Sequence, residues 1–165
     1  MTHDAVVFSD GGCSPNPGPG AWAAIVRYGL RGEVELSGFE EQTTNNRMEM
    51  TACLAGLRHL AEVRMETSPG RYTVPRRVLL VSDSKLLLTG ISEWLDKWKT
   101  RGWWRQGESW GATGGIANRD LWEEIDEHRR RFRIETRWVR GHSGHAENER
   151  CDEMCRELIR SRGAA

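Results

Sequence analysis

The chain has 165 residues, and its 24 basic and 24 acidic side chains cancel to a formal net charge of zero. This length suits one domain that buries most of its apolar surface without disulfides or structural metal ions, so we expect a single domain over residues 1–165. The neutral balance neither favours nor excludes nucleic acid, which only local charge clusters can indicate.

We expect neither a membrane-spanning segment nor a signal peptide. No apolar run is long enough to cross a bilayer, and residues 1–4 lack the charged and apolar regions of a signal peptide. We therefore expect a cytoplasmic protein with no membrane partner. Its four cysteines are an even number, but a domain of this size in a reducing compartment needs no bridges, which favours free thiols.

The first predicted element is a buried strand that ends on a carboxylate. Ala5-Val6-Val7-Phe8 is apolar, Asp10 follows, and glycines and prolines break the pattern at once. An acidic side chain on the last residue of a buried strand is held rigidly, and Gly11 and Gly12 let a ligand approach the main chain closely. Taken alone, the pattern more often marks a strand followed by an ordinary Asp-Gly turn.

Two strands and a helix are predicted next. Residues 21–28 and 33–36 complete an antiparallel meander. Thr43-Thr44-Asn45-Asn46 supplies helix-start chemistry, and Glu49 lies in the predicted first turn. Because Glu49 begins a stripe of small and apolar residues at helical spacing, it borders the inward face. Asn46 and Glu49, three residues apart, would also fit a capping box.

A central strand repeats the arrangement at Asp10. Residues 66–75 are polar and predict a loop, whereas Val78-Leu79-Leu80-Val81 is typical of a strand covered on both faces. This run ends at Asp83. Because open α/β sheets bind ligands at the carboxyl edge, Asp83 and Asp10 are predicted to face one site.

A basic, tryptophan-rich stretch follows at helical spacing, with a predicted break near Gly90. From Trp94 to Arg105, tryptophans are interspersed with lysines and arginines, and Asp96 is the only acidic residue. Aromatic planes beside cations suit sugars, bases and phosphates. The alternative, tryptophans turned to the core with solvated lysines between them, is expected for about half of them. Residues 107–115 are glycine-rich and predict a surface loop without the lysine of a P-loop.

The rest of the chain predicts helix, strand, loop and helix. Asn118 can cap the first helix, and residues 132–138 alternate as a half-exposed strand does. The loop Gly141-His142-Ser143-Gly144-His145 then precedes a helix that contains Asp152 and turns its cysteines inward.

Three constellations compete for a function. Zinc on two histidines and two cysteines is disfavoured, because cysteines four apart are ordinary helix packing. A serine or cysteine hydrolase is weaker, since no nucleophile elbow is present. Four carboxylates that converge would repel one another unless divalent cations lie among them, and two such ions can drive phosphodiester hydrolysis. These carboxylates are Asp10, Glu49, Asp83 and Asp152.

Four sequence motifs surround these carboxylates: Ser9-Asp10-Gly11-Gly12, Thr44-Asn45-Asn46-Arg47-Met48-Glu49, Ser82-Asp83-Ser84 and the run from Gly141 to Asp152. Together, and in this order, they resemble type 1 ribonuclease H of the bacterial kind, from about Ala5 to Ile159. The resemblance implies an α/β, ribonuclease H-like fold whose five-stranded mixed sheet combines an antiparallel meander with two parallel strands, flanked by helices. It also implies a monomeric endonuclease that hydrolyses the RNA strand of RNA–DNA hybrids, giving 5′-phosphate and 3′-hydroxyl ends.

The resemblance also implies roles for individual residues. The four carboxylates would bind two Mg²⁺ ions, or Mn²⁺, with substrate bound, and His142 would assist proton transfer or product departure. A histidine titrates near neutral pH and flanking glycines let it swing, although an ordinary surface histidine is the alternative. The implied substrate contacts are Asn16, Asn45 and Asn46 for the minor groove, Thr44 and Asn118 for a DNA phosphate, and Trp94 and Trp98 for a DNA sugar, while Lys85 adds charge beside the site.

Two rival functions fit the same sequence. One is a hybrid-binding module without catalysis, against which the four retained acids argue. The other is DNA cleavage on the same fold, as in integrase or transposase relatives, against which the Thr44-to-Glu49 segment and the tryptophan stretch argue. We expect no hybrid-binding domain before Met1 and, as a result, low processivity.

Overall fold

A computed structural model describes residues 3–103 and 115–162 of the chain. Trp104, Arg105 and residues 107–114 of the expected glycine-rich loop lie outside this part. The elements in chain order are β1 (Ala5–Cys13), β2 (Gly18–Tyr28), β3 (Gly32–Thr43), α1 (Asn45–Glu62), β4 (Met65–Ser68), β5 (Arg71–Thr73), β6 (Arg77–Ser82), α2 (Lys85–Thr89), a π-helical turn (Gly90–Trp94), α3 (Leu95–Thr100), α4 (Arg119–Arg131), β7 (Arg133–Trp138) and α5 (Ala146–Arg162).

The expected mixed sheet is confirmed. Its five strands lie in the order β3-β2-β1-β6-β7. Strands β1, β2 and β3 form the antiparallel meander, while β6 runs parallel to both β1 and β7. The unbroken apolar run of β6 is buried, as a central parallel strand requires, and the alternating β7 lies at the edge.

Helices cover both faces of the sheet. Helix α1 packs against β1 and β2, and a Cβ on its Gly56 would lie 2.5 Å from Val7 Cγ1, so a glycine is needed for this close approach. On the other face, α5 packs Cys151 and Cys155 against small residues of β2. Strands β1 and β2 are therefore fixed between two helices, which makes β1 a rigid support for Asp10.

The expected break near Gly90 is confirmed as the π-helical turn that joins α2 to α3. A Cβ at Gly90 would lie 2.1 Å from the indole of Trp122, a fully buried side chain of α4. The absence of a side chain at Gly90 lets this indole pack against the turn.

Two expectations about the strands and loops are wrong. Residues 66–75 form most of a β-hairpin rather than a loop, because β4 pairs with β5 around a turn at Gly70, where φ is +76°. Strand β1 does not end at Asp10 but continues through Cys13, since this segment pairs with β2. Its parallel pairing with β6 stops at Phe8, so Asp10 still lies beyond that pairing.

The start of α1 also differs from the expectation. Thr44 is its N-cap and accepts a hydrogen bond from the Arg47 N–H at 3.2 Å. Glu49 is therefore the fifth residue of the helix and lies outside its first turn, and a capping box between Asn46 and Glu49 is excluded because Thr44 already holds the cap position.

All four cysteines are free thiols. Burial raises the pKa of Cys53 to about 12. Across residues 3–103 and 115–162, the helices are too short or too polar to cross a membrane.

Candidate active site

Three of the four predicted carboxylates meet at one edge of the sheet. Asp10, Glu49 and Asp83 each offer an oxygen, and these oxygens lie within 4.8 Å of one another. Asp10 is only 6% exposed. We call these three residues the acidic triad.

The local fold explains why the triad forms. Asp10 lies just beyond the parallel pairing of β1 with β6, and Asp83 directly follows β6, so both reach the same edge. A Cβ on Gly11 would lie 2.3 Å from the carbonyl carbon of Met48 and 2.4 Å from the Glu49 nitrogen. Only a glycine next to Asp10 lets α1 come close enough to bring Glu49 to the other two acids.

Asp152 lies beside the triad but outside the tight group. Its side chain on α5 is 23% exposed, and its Oδ2 lies 2.9 Å from Arg156 Nε and 4.0 Å from His142 Nδ1. Its charge nevertheless acts on Asp10 and on Asp83 and raises the pKa of both. The four predicted acids therefore share one electrostatic site, with Asp152 at its open side.

The acids in this site hold their protons unusually tightly. Burial, followed by repulsion from Asp83 and Asp152, raises the pKa of Asp10 from 3.8 to about 7. Burial and the charge of Asp10 raise the pKa of Glu49 well above its ordinary value. Burial also raises the pKa of Asp83. Clustered carboxylates with little solvent are costly to ionise together unless a cation joins them.

The donor set fits a divalent cation. Glu49 Oε2 is buried and has no hydrogen-bond partner, so a buried polar oxygen is left without compensation. Carboxylate oxygens are the ligands that Mg²⁺ and Mn²⁺ prefer. A cation among the triad would satisfy this oxygen and relieve the repulsion.

The alternative zinc constellation does not assemble. Cys151 and Cys155 are buried, with their sulfur atoms directed to the main-chain oxygens of Phe8 and Asp10, whereas the His142 side chain is 80% exposed. Within the described part of the chain, the acidic triad is the one group of three or more such side chains able to hold a metal.

His142 lies in the loop between β7 and α5, at the open side of the site. Its φ of +55° and the φ of +87° at Gly144 make a tight left-handed bend that projects the imidazole outward. A Cβ on Gly141 would lie 2.8 Å from Asp83 Oδ2, so this glycine lets the loop pass directly over the triad. His142 thus lies next to Asp152, the acid at the open side of the site, with its Nδ1 4.0 Å from Asp152 Oδ2.

Sequence reasoning missed Asn148 and Trp138. Asn148 on α5 is 5% exposed and donates a side-chain hydrogen bond to the Asp83 carboxylate, which counters the rise in its pKa. The Trp138 indole N–H donates to the Asp83 main-chain oxygen at 3.1 Å. A signal for Asn148 was available, because it is a polar residue one turn before Asp152 on the inward stripe of α5.

A second group of predicted residues lines an open cavity of about 630 Å³. The rings of Trp94 and Trp98 lie 5.7 Å apart, and Trp98 also packs edge-on against Trp122 at 5.2 Å. Trp98 thus belongs partly to the core, as expected for about half of these tryptophans. The cavity is lined by Asn46, Leu86, Trp94, Lys97, Trp98, Arg101, Gly115, Ile116, Ala117, Asn118 and Trp122.

Arg47 connects the starts of two helices at this cavity. Its guanidinium donates to both carboxylate oxygens of Asp120 and to Asn118 Oδ1 at 3.3 Å. Asn118 occupies the N-cap position of α4, as predicted, but its side chain makes no capping hydrogen bond, and its main chain is left-handed with φ at +59°. Arg47 takes the oxygen that a cap would use, and Asn118 stays at the cavity.

The remaining predicted contacts lie on exposed positions around the triad. Asn16, in the β1–β2 loop, accepts a hydrogen bond from the Asn45 N–H at 3.2 Å, so the two residues are neighbours. Thr44 caps α1 directly before Asn45. Lys85 begins α2, and its Nζ lies 4.6 Å from the centre of the Trp138 ring.

Comparison with known proteins gives consistent matches over nearly the whole chain. The family model described as RNase H matches residues 2–160. The Ribonuclease H of Pelobacter propionicus is 42% identical over 158 residues, which cover 96% of this chain and 86% of that protein. The Ribonuclease H of Aromatoleum aromaticum is 43% identical over an alignment of 168 residues, which covers 100% of this chain and 98% of that protein.

Solved structures agree with these matches. LC9-RNase H1, described as a type 1 RNase H with the type 2 active-site motif, has a TM-score of 0.75 at 28% identity and covers 98% of this chain and 74% of that one. The structure of LC11-RNase H1 in complex with RNA/DNA hybrid has a TM-score of 0.64 at 20% identity and covers 95% of this chain and 97% of that one. The second similarity concerns the fold alone.

Proposed function

The chain belongs to the RNase H family and is a ribonuclease H enzyme, and from this premise we propose that it cuts the RNA strand of RNA–DNA hybrids internally by a two-metal-ion mechanism. The observation that carries the mechanism is the acidic triad, whose oxygens converge within 4.8 Å around a buried, unpaired Glu49 oxygen. The family match over residues 2–160 confirms the expected family, and the mechanism is our inference from the site.

Two divalent ions, Mg²⁺ with Mn²⁺ as a substitute, would be held by Asp10, Glu49, Asp83 and Asp152 when substrate is bound. When present, such ions lower the pKa of a water and stabilise negative charge on the leaving oxygen. The chain itself supplies the fixed oxygens. Because β1, β6 and α1 are packed elements, the triad is positioned before substrate arrives.

His142 would move a proton at the open side of the site. Hydrolysis breaks the bond between phosphorus and the 3′-oxygen, the attacking water loses a proton, and the 3′-oxygen gains one, which leaves 5′-phosphate and 3′-hydroxyl ends. The exposed imidazole next to Asp152 suits such a transfer, with Asp152 orienting Nδ1 from 4.0 Å. Its outward projection also suits help with product departure.

Substrate contacts would lie on two surfaces. Asn16, Asn45 and Asn46 surround the start of α1, where polar side chains can read the 2′-hydroxyls of a minor groove. Thr44 and Asn118 would hold a DNA-strand phosphate, and Trp94 and Trp98 would receive a DNA sugar in the cavity, with Lys97 and Arg101 supplying positive charge. Lys85 would meet the RNA strand beside Asp83. A relative by fold, LC11-RNase H1, is described in complex with RNA/DNA hybrid, which supports this class of partner.

One assay separates this function from its rivals. Labelled RNA–DNA hybrid, double-stranded RNA and double-stranded DNA are each incubated with Mg²⁺ and with a chelator. We expect cutting of the hybrid's RNA strand only, in Mg²⁺ only, with 5′-phosphate on the products. Hybrid binding without cutting would instead indicate a binding module, and DNA cutting a recombinase-type nuclease.

Oligomeric state and location complete the proposal. We infer a monomer that acts in the cytoplasm. Sedimentation equilibrium across a hundredfold concentration range should return one mass near 18.8 kDa.

A further inference from the structure

One exposed indole contacts two functional residues at once. Trp138, the last residue of β7, is 47% exposed. Its N–H donates to the main-chain oxygen of Asp83 at 3.1 Å, and its ring face lies 4.6 Å from Lys85 Nζ. A large exposed aromatic ring that is fixed on both its edge and its face indicates a defined role at this position.

The register of the sheet explains the first contact. Trp138 pairs with Ser82 at the end of β6, and the Val139 N–H donates to the Ser82 oxygen at 3.0 Å. The next carbonyl along the chain is that of Asp83, which lies beyond the strand and accepts from the indole instead. Trp138 therefore extends the hydrogen bonding of the sheet by one residue, to the main chain of a triad member.

The second contact places the Lys85 ammonium on an aromatic face instead of beside a carboxylate. Lys85 follows Asp83 by two residues, yet among the described residues it forms no ion pair with any carboxylate, and its ammonium rests on the indole face. The negative face of an indole attracts a cation without neutralising it by a counter-charge. The ammonium thus lies against the indole, two residues along the chain from the triad member Asp83, with its donors free for an incoming anion.

The position of Lys85 indicates which anion it meets. The strand that is cut must lie against the triad, and Lys85 is two residues from a triad member. A phosphate of that strand, next to the reacting one, is the anion that an ammonium at this position would meet. A compact, rotatable ammonium suits a point contact with phosphate.

We propose that Trp138 is a positioning residue: its ring face holds Lys85 against a phosphate of the RNA strand, and its N–H fixes the main chain of Asp83. This inference rests on the proposed cleavage of RNA–DNA hybrids. It assigns two separable effects to one side chain, substrate binding through the ring and the rate of the chemical step through the N–H.

Three variants separate these effects in steady-state kinetics. Trp138→Phe keeps a ring face but loses the N–H, so we expect kcat to fall about two- to fivefold with KM near that of the parent. Trp138→Leu loses both contacts, so KM should also rise about two- to fivefold. Lys85→Met should raise KM about fivefold. It should also reduce the slope of log KM against the logarithm of the salt concentration by about one.

A double-mutant cycle tests whether the ring acts through the lysine. In the Lys85→Met background, Trp138→Leu should raise KM no further than Trp138→Phe does. Tyr72→Leu, on the exposed β5 strand, is the matched control for loss of an exposed aromatic ring and should leave both constants unchanged. Additive effects on KM in the cycle would overturn the positioning role.

A measurement without turnover keeps this inference distinct from the proposed function. The chain has only three lysines, Lys85, Lys97 and Lys99, so ¹³C-labelled lysine gives three resolvable ε-methylene signals. We expect the Lys85 signal to be shifted upfield by the Trp138 ring in the parent and in Trp138→Phe, and to lose that shift in Trp138→Leu. In the Asp10→Asn background, adding uncut hybrid should move the Lys85 signal, whereas duplex DNA should move it less.

The outcomes fall into two classes. A parent that fails to cut hybrid overturns the proposed function, whatever the lysine spectrum shows. A parent that cuts hybrid, together with an unshifted Lys85 signal or an unchanged KM in Trp138→Leu, overturns only the role of Trp138. Thermal melting of each variant identifies a folding defect, which the half-exposed position of Trp138 makes unexpected, and Trp138→Phe then remains as the conservative test.

Discussion

The acidic triad and the tryptophan-lined cavity handle polar chemistry in opposite ways. The triad holds like charges on packed elements, where burial and mutual repulsion raise the pKa of each acid. The cavity presents Trp94 and Trp98 with Lys97 and Arg101 on an open surface, where solvent screens the charges. The triad is thus destabilising until a cation arrives, whereas the cavity is stabilised by its own aromatic packing.

This difference indicates that catalysis and substrate binding are divided between the two regions. A site for chemistry needs charges held in advance at a place where they interact strongly, and the fold supplies it at a cost in stability. A surface for binding needs area and positive charge but no buried repulsion. Changes in the triad should therefore act on the rate, and changes in the cavity on affinity.

The largest expected effect is that of Asp10→Asn on turnover. Loss of one anionic oxygen from the cation site should lower kcat on the order of a thousandfold or more, because the site provides several kcal/mol of transition-state stabilisation. Gel assays on labelled hybrid at saturating Mg²⁺ measure this. If the variant retained a tenth of the parent's kcat, Asp10 would have no part in the chemistry. Trp94→Ala, which changes the cavity and leaves the triad intact, is the comparison.

His142→Ala should have the next largest effect. We expect kcat to fall about a hundredfold with KM little changed, because a proton-transfer group acts in the transition state and touches no bound substrate in the ground state. Single-turnover and multiple-turnover rates are compared to separate chemistry from product release. Undiminished turnover in both would leave His142 an ordinary surface histidine.

Stability against pH should reveal the repulsion in the triad directly. The pKa of Asp10 rises from 3.8 to about 7 on folding, so the folded protein binds a proton more tightly than the unfolded chain. Stability from this group is therefore fully present below about pH 4 and is lost as pH rises through 7. Asp10→Asn removes that loss, so its free energy of unfolding should exceed the parent's by about 2 kcal/mol at pH 8 and match it at pH 4.

Chemical denaturation of the cation-free protein at both pH values measures this difference, and millimolar Mg²⁺ at pH 8 should shrink it, because a cation stabilises the parent's triad. The cavity provides the control, since its residues bring no buried acid and Trp94→Ala should show no such pH dependence. An Asp10→Asn protein that melts far below the parent at every pH would show that Asp10 is structural.

Trp94→Ala should have the smallest of these effects. We expect KM to rise about tenfold with kcat nearly constant, because one ring face for a sugar or base is lost. Tyr72→Ala, which removes an exposed aromatic ring on the β4–β5 hairpin, is the control that should leave KM unchanged. A fall in kcat without a change in KM would contradict the division between the two regions.

Local pattern was sufficient for much of the fold. The apolar run of β6, the alternation of β7 and the helical spacing of α1 each depend on nearest neighbours along the chain, and all three elements form as predicted. The hairpin of β4 and β5 escaped prediction because its strands are short and polar, with pairing set by the turn at Gly70. The extension of β1 to Cys13 escaped because a partner strand, β2, decides it.

For the site, the sequence by itself determined which residue types could do the chemistry: acids after apolar runs and a histidine among glycines. Only the tertiary structure decided how closely they meet, since that depends on contacts between distant segments, such as Gly11 against α1 and Gly141 over Asp83. It likewise decided that Asp152 lies at the open side, that Asn118 bonds to Arg47 and that Trp138 joins Asp83 to Lys85. Pattern along a chain records burial and periodicity, whereas distances across a sheet edge arise only when the elements pack.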